Sequence, residues 1–241
     1  MKCYLGIFVF IVAVACLPLQ ALTIDIPNPS VEISVDGTQV DSSQFTISYD
    51  REAKQGHIDG KLQTSSWALD ISVTTNPDPF VLYALGVVNN TNAPLAFSFT
   101  FLTPLLLGPY DQITNSFNGS MTDLIGNGVS LSGILQLALL NGGNVPAVQL
   151  GTFACAGGPG APLTNYACPP GPGFGPITAA VPNAFYNTLG ANLNFTISPA
   201  DSASFNGGVI LDSLPIPEPT TMLLLSAGLG VMGLGAWRRM K

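Results

Sequence analysis

The chain has 241 residues, of which 47% are hydrophobic and only 9% charged, with a formal net charge of −7. Apart from its two ends, residues 22–214 hold 13 acids against three bases, Arg51, Lys54 and Lys61, a net charge of −10. No Lys or Arg occurs between Leu62 and Trp237, so there is no basic stripe to follow a phosphate backbone, which argues against nucleic-acid binding.

The N-terminus opens Met1-Lys2, runs through an uncharged apolar stretch from Cys3 to Leu17, breaks at Pro18 and reaches Gln20-Ala21. A basic start, a short apolar run and a small residue form the layout of a secretory signal, and about 15 apolar residues are too few for a bilayer span of about 20. Cleavage by signal peptidase is expected after Ala21. Ala13-Val14-Ala15-Cys16 offers the alternative of a lipoprotein box with lipidation at Cys16.

Residues 22–214 read as a mainly β ectodomain, an antiparallel β-sandwich. Period-two alternation recurs at Val31-Glu32-Ile33-Ser34-Val35, at Trp67, Leu69, Ile71 and Val73, at Leu95, Phe97, Phe99 and Phe101, and at Leu193, Phe195 and Ile197. Phe80 to Val88 is more continuously apolar and suggests a central strand covered on both faces. Leu131 to Leu140 is the one stretch with helical character, between Ser132-Gly133 and the stop Asn141-Gly142-Gly143. Turn signals stand at Asp36-Gly37, Asp59-Gly60, Asn76-Pro77-Asp78-Pro79, Asn89-Asn90, Asn118-Gly119 and Asn206-Gly207. Residues 151–182 are dense in Gly and Pro and read as one long surface loop. Cys155 and Cys168 flank it, the only cysteines left after signal removal. Export places them in an oxidising compartment, and a disulfide between them is expected.

Catalytic signatures are sparse. Any Ser-His-Asp triad would need His57, the single histidine, which sits in the polar window from Asp50 to Gly60 that reads as an exposed charged hairpin. There is no Gly-x-Ser-x-Gly elbow, phosphate loop or His-based zinc motif. Glycosidase chemistry needs two carboxylates, and nothing singles out a pair among 13. Asp36 and Asp123 read as turn residues rather than calcium ligands, and no metal or cofactor is expected. Trp67, in phase with Leu69 and Ile71, reads as core more than as a sugar-stacking platform, with Tyr83 and Tyr110 ambiguous. Asn89, Asn118 and Asn194 each begin an Asn-x-Ser/Thr sequon.

The C-terminal end reads Leu214-Pro215-Ile216-Pro217-Glu218-Pro219, then an uncharged stretch from Thr220 to Trp237, then Arg238-Arg239-Met240-Lys241. Eighteen helical residues span about 27 Å at 1.5 Å each, enough for a single membrane helix. The basic cluster Arg238, Arg239 and Lys241 would remain cytoplasmic, leaving everything before Pro219 across the membrane. Prolines at 217 and 219 hold Glu218 in extended, accessible backbone. This order of Pro217-Glu218-Pro219, Leu- and Gly-rich helix and terminal Arg cluster resembles the PEP-CTERM sorting domain. The resemblance implies recognition of residues 215–241 by an exosortase, a membrane cysteine enzyme of Gram-negative bacteria that make extracellular polysaccharide. It further implies an inner-membrane intermediate and a final place at the outer surface or in the extracellular matrix, with exopolysaccharide as a partner. A non-enzymatic surface or biofilm-matrix protein is the expected function. A membrane-tethered adhesion or ligand-binding module and an exported polysaccharide hydrolase are the alternatives.

Overall fold

The computed structural model describes residues 28–77, 79–106, 109–168 and 175–213. The expected signal segment ending at Ala21 and the expected membrane helix lie outside them. Among the described residues no helix is long and apolar enough to cross a membrane.

Among the described residues fifteen strands follow one another: β1 (Ser30–Val35), β2 (Thr38–Gln39), β3 (Thr46–Asp50), β4 (Gln55–Gln63), β5 (Trp67–Asn76), β6 (Phe80–Asn89), β7 (Leu95–Pro104), β8 (Pro109–Asp123), β9 (Val129–Leu140), β10 (Gly143–Asn144), β11 (Leu150–Gly157), β12 (Thr164–Ala167), β13 (Ile177–Phe185), β14 (Thr188–Ile197) and β15 (Asp201–Ser213). They form two antiparallel sheets. One has the order β10-β9-β14-β7-β1-β2 with β11 also against β9, and the other β12-β8-β15-β6-β5-β4-β3 with β13 also against β8.

The inner faces meet in one core, because each strand's alternation places its apolar residues on the same side. Phe97 stacks on Phe195 at 5.5 Å, Phe195 meets Phe205 at 4.5 Å and Phe205 meets Phe117 at 5.3 Å, so a chain of rings crosses from the first sheet to the second. Each such ring, fully buried, contributes about 1.5–3 kcal/mol through removal from water. At Asp36-Gly37 the expected turn joins β1 to β2, with φ of 47° and 74°, the paired positive values that a two-residue hairpin turn needs.

Four expectations are corrected. The stretch Leu131–Leu140 is strand β9, not helix. Gly133, with φ of 65°, lies at a register shift against β14 and inserts the extra residue that breaks a simple period-two pattern. Residues 151–182 are not one loop either. They supply β11, β12 and the start of β13, edge strands whose partners β9 and β8 provide the hydrogen bonds that the Gly- and Pro-rich sequence does not advertise. Asp59-Gly60, Asn118-Gly119 and Asn206-Gly207 stand inside β4, β8 and β15 rather than in turns. A Cβ on Gly60 would lie 2.5 Å from the Phe45 ring, on Gly119 2.9 Å from the Phe205 ring and on Gly207 2.5 Å from the Tyr83 hydroxyl. These glycines make room for neighbouring side chains. Finally, Phe80–Val88 forms β6 in the middle of its sheet, but only one of its faces is covered, since Leu82 and Ala84 on the other are exposed.

Candidate functional site

The outer face of the eight-stranded sheet is rich in small polar residues on β5, β8 and β15, which alternate a buried apolar set with Ser, Thr and Asn, while β6 between β5 and β15 presents Leu82, Ala84, Gly86 and Val88 there. A groove of about 510 Å³ lies across five adjacent strands of this face, from β4 through β5, β6 and β15 to β8. Its middle row is set by register, with Lys61 opposite Asp70, Asp70 opposite Gly86 and Gly86 opposite Ser204. Lys61 Nζ donates to Asp70 Oδ2 at 2.5 Å with both side chains well exposed, so the pair adds little stability but leaves the groove without net charge. Ser204 and Ser120 are joined through their hydroxyls at 2.8 Å, and Ser202, Thr122 and Gln63 add further polar groups around apolar Val88 and Ala68. None of these positions stands out in the sequence except Gly86, a glycine in the middle of a strand pattern.

Beyond one end of the groove, Asp123 and Asp201 are cross-strand partners and both are fully buried. Burial pushes the Asp123 carboxyl up, but the amides of Gly128, Gly126, Ile125 and Asn127 outweigh it and hold the group below the usual carboxylate range. Those bonds measure 2.7 Å from Gly128, 2.6 Å from Gly126 and 3.2 Å from Ile125, so Asp123 organises the turn into β9 as its turn assignment implies. Asp201 is different. Burial raises it, the Asp123 charge adds to the rise, and the Ser198 hydroxyl and the Leu124 amide oppose it. Ser198 Oγ accepts the Ser130 amide at 2.7 Å, lies 2.9 Å from the Ser130 carbonyl and is also bonded to Asp201 Oδ2. Asp201 Oδ1 is buried without a hydrogen-bond partner.

Between the sheets runs a polar bridge that the sequence concealed. Tyr83 Oη donates to Gln136 Oε1 at 2.5 Å, Gln136 Nε2 donates to Asn115 Oδ1 at 2.5 Å and to the Ser116 carbonyl at 3.0 Å, and Asn115 Nδ2 donates to the Val148 carbonyl at 2.9 Å. Burial holds the Tyr83 phenol well above its ordinary value. Gln136 lies in an apolar run, and no sequence signal marks it as paired. The ambiguous aromatics resolve inward. Tyr83 and Tyr110 are buried, and Trp67 packs partly buried against the core.

His57 sits on β4 between Ser48 of β3 and Thr74 of β5, in the hairpin expected for its window. The nearby Asp50 carboxylate accepts the amides of Ala53 at 3.0 Å and Glu52 at 2.8 Å, which hold it below the usual carboxylate range, and the neighbouring His57 adds a smaller pull in the same direction. Among the described residues no group of three or more His, Cys, Asp and Glu could hold a metal ion. Asn89, the first sequon asparagine, is fully buried and bonded to Ala93, Ser198 and Thr91, out of reach of any transferase. Cys155 on β11 and Cys168 just after β12 come to disulfide distance, with Cα atoms 5.5 Å apart. Because β11 belongs to the first sheet and β12 to the second, this pair closes one side of the sandwich.

Ala21, Pro217, Glu218, Pro219, Arg238, Arg239 and Lys241 lie outside the described residues. The last described strand ends at Ser213, and residues 215–239 match the PEP-CTERM protein-sorting motif. The chain carries a PEP-CTERM sorting signal. A PEP-CTERM motif implies an exported, membrane-passing protein, and the match includes Pro217, Glu218, Pro219, Arg238 and Arg239. No curated protein matches the chain. Among solved structures, TmCBM61 in complex with beta-1,4-galactotriose aligns at 10% identity over 76% of this chain and 88% of that one, with a TM-score of 0.29. So loose an overlap carries no functional argument.

Proposed function

We propose that this protein is a non-enzymatic surface or matrix protein, exported by a cleaved signal, sorted by an exosortase through Pro217-Glu218-Pro219, and left at the outer surface or in extracellular polysaccharide. The observation that carries this reading is the PEP-CTERM match beginning at residue 215, immediately after β15 ends at Ser213. What supports the non-enzymatic part is that Asp50, the carboxylate near His57, and Asp123 are each engaged by backbone amides of their own turns.

Glu218 is the residue on which recognition depends in this reading, because it is the one charged residue of the Pro217-Glu218-Pro219 signature at the start of the matched segment. The test is Glu218→Ala in the full chain. The expected outcome is a normally folded ectodomain that stays cell-bound with the residues after Pro219 still attached, seen by fractionation and mass spectrometry of the termini. Release at the normal rate would overturn it.

A further inference from the structure

Gly86 is the one glycine described in the eight-stranded sheet that the fold does not require. At Gly56, Gly60, Gly119, Gly207 and Gly208 an added Cβ would lie within 2.4–2.9 Å of another atom. At Gly86 the nearest atom would be Asp70 Cβ at 3.9 Å, an ordinary contact, and its φ lies outside the positive range that favours glycine. A glycine in the interior of a central strand weakens the strand, since it adds backbone entropy to the unfolded chain and packs nothing. What the missing side chain provides here is space, because Gly86 lines the groove between Asp70 and Ser204.

We propose that this groove binds an uncharged polysaccharide chain, a proposal that rests on the reading of the protein as a displayed surface module. Five strands at about 4.8 Å spacing make a floor of about 19 Å, long enough for several sugar rings. The walls offer hydroxyl and amide groups for sugar hydroxyls, and Ala68, Gly86 and Val88 offer a flat apolar strip for ring C–H faces. Charge selects the class. A domain with 13 acids and three bases repels an acidic polymer, and the groove's lone cation, Lys61, is paired with Asp70. A peptide is disfavoured because the groove lies on a sheet face, where backbone groups are already paired within the ladders, and not at an edge where a strand could add. Orientation agrees with display. From Ser204, β15 continues to Ser213 before the sorting motif, about 30 Å at 3.4 Å per residue, so the groove lies toward the end of the sandwich away from the membrane-directed tail.

The experiment uses the mature protein purified from the producing cells and those cells' own extracellular polysaccharide, split by anion exchange into uncharged and acidic fractions. The expected result is binding to the uncharged fraction that is unchanged between low and high salt. Gly86→Val, which fills the groove with a good strand former, should weaken that binding about tenfold or more while leaving the melting temperature equal or higher. Ser204→Ala, which removes one hydroxyl without adding bulk, should weaken it by a smaller factor and serves if Gly86→Val does not fold. Binding confined to the acidic fraction and lost with salt, binding of an unstructured peptide in its place, no binding to the uncharged fraction, or equal binding by wild type and both variants would each overturn the proposal. Failure of display is read separately. A chain that is never released refutes the sorting reading and leaves the binding measurement standing, whereas a released chain with an indifferent groove refutes only the groove.

Discussion

Replacing Gln136 by Leu isolates the polar bridge between the sheets. Gln136 is fully buried, and its removal leaves Tyr83 Oη and Asn115 Oδ1 without the partners they meet at 2.5 Å. Each buried polar atom stripped of its hydrogen bond costs about 1–3 kcal/mol, so two cost about 2–5 kcal/mol once the small gain from a more apolar side chain is allowed for. Adding Tyr83→Phe removes one orphaned hydroxyl and should restore about 1–2 kcal/mol, making the double variant more stable than Gln136→Leu alone. Urea denaturation followed by tryptophan fluorescence reads this as a midpoint shift at constant slope, and Trp67, the single tryptophan of the described residues, reports from β5. If Gln136→Leu lost less than about 1 kcal/mol, or if the double variant were no better than the single, the bridge would not be acting as a coupled network.

The two end-of-sheet aspartates should respond oppositely to pH. Asp201, raised in the folded protein, contributes stability that is full below its unfolded pKa and is lost as pH rises through its folded value; Asp201→Asn should therefore be more stable than wild type at neutral pH, with the gap closing in acid. Asp123, lowered in the folded protein, contributes stability above its unfolded pKa that is lost as pH falls through its folded value, so Asp123→Asn should be weaker at neutral pH and converge on wild type in acid. Parallel pH profiles of melting temperature for the three proteins check both, and a wild type that outlasts Asp201→Asn at neutral pH would contradict the upward shift that burial imposes on that carboxyl. Replacing Cys155 and Cys168 together by Ala should lower stability by about 3 kcal/mol, the loop-closure contribution for a separation of this size. Non-reducing denaturation curves measure it, and alkylation of both thiols in the unreduced wild type would show that no bond forms.

The repeated alternation at β1, β5, β7 and β14 made the β class legible before any coordinates, since a strand with one buried face writes its period directly into the residues. The PEP-CTERM segment was equally legible, because a sorting signal is read as a short linear string and needs no neighbours in space. The strand glycines were not. An Asn-Gly or Asp-Gly pair has the same letters in a turn and beneath an aromatic ring, and only the placement of Phe45, Phe205 and Tyr83 from other strands decides which it is. The edge strands β11, β12 and β13 were hidden for a related reason, since their hydrogen bonds come from β9 and β8 rather than from a pattern of their own. The groove at Gly86 and the bridge at Gln136 belong to the same class of facts. The sequence determined the alternation and the sorting tail, both local properties of the chain, whereas the tertiary structure alone decided which polar residues met across strands and sheets, because those meetings depend on register, and register is set by the whole sheet at once.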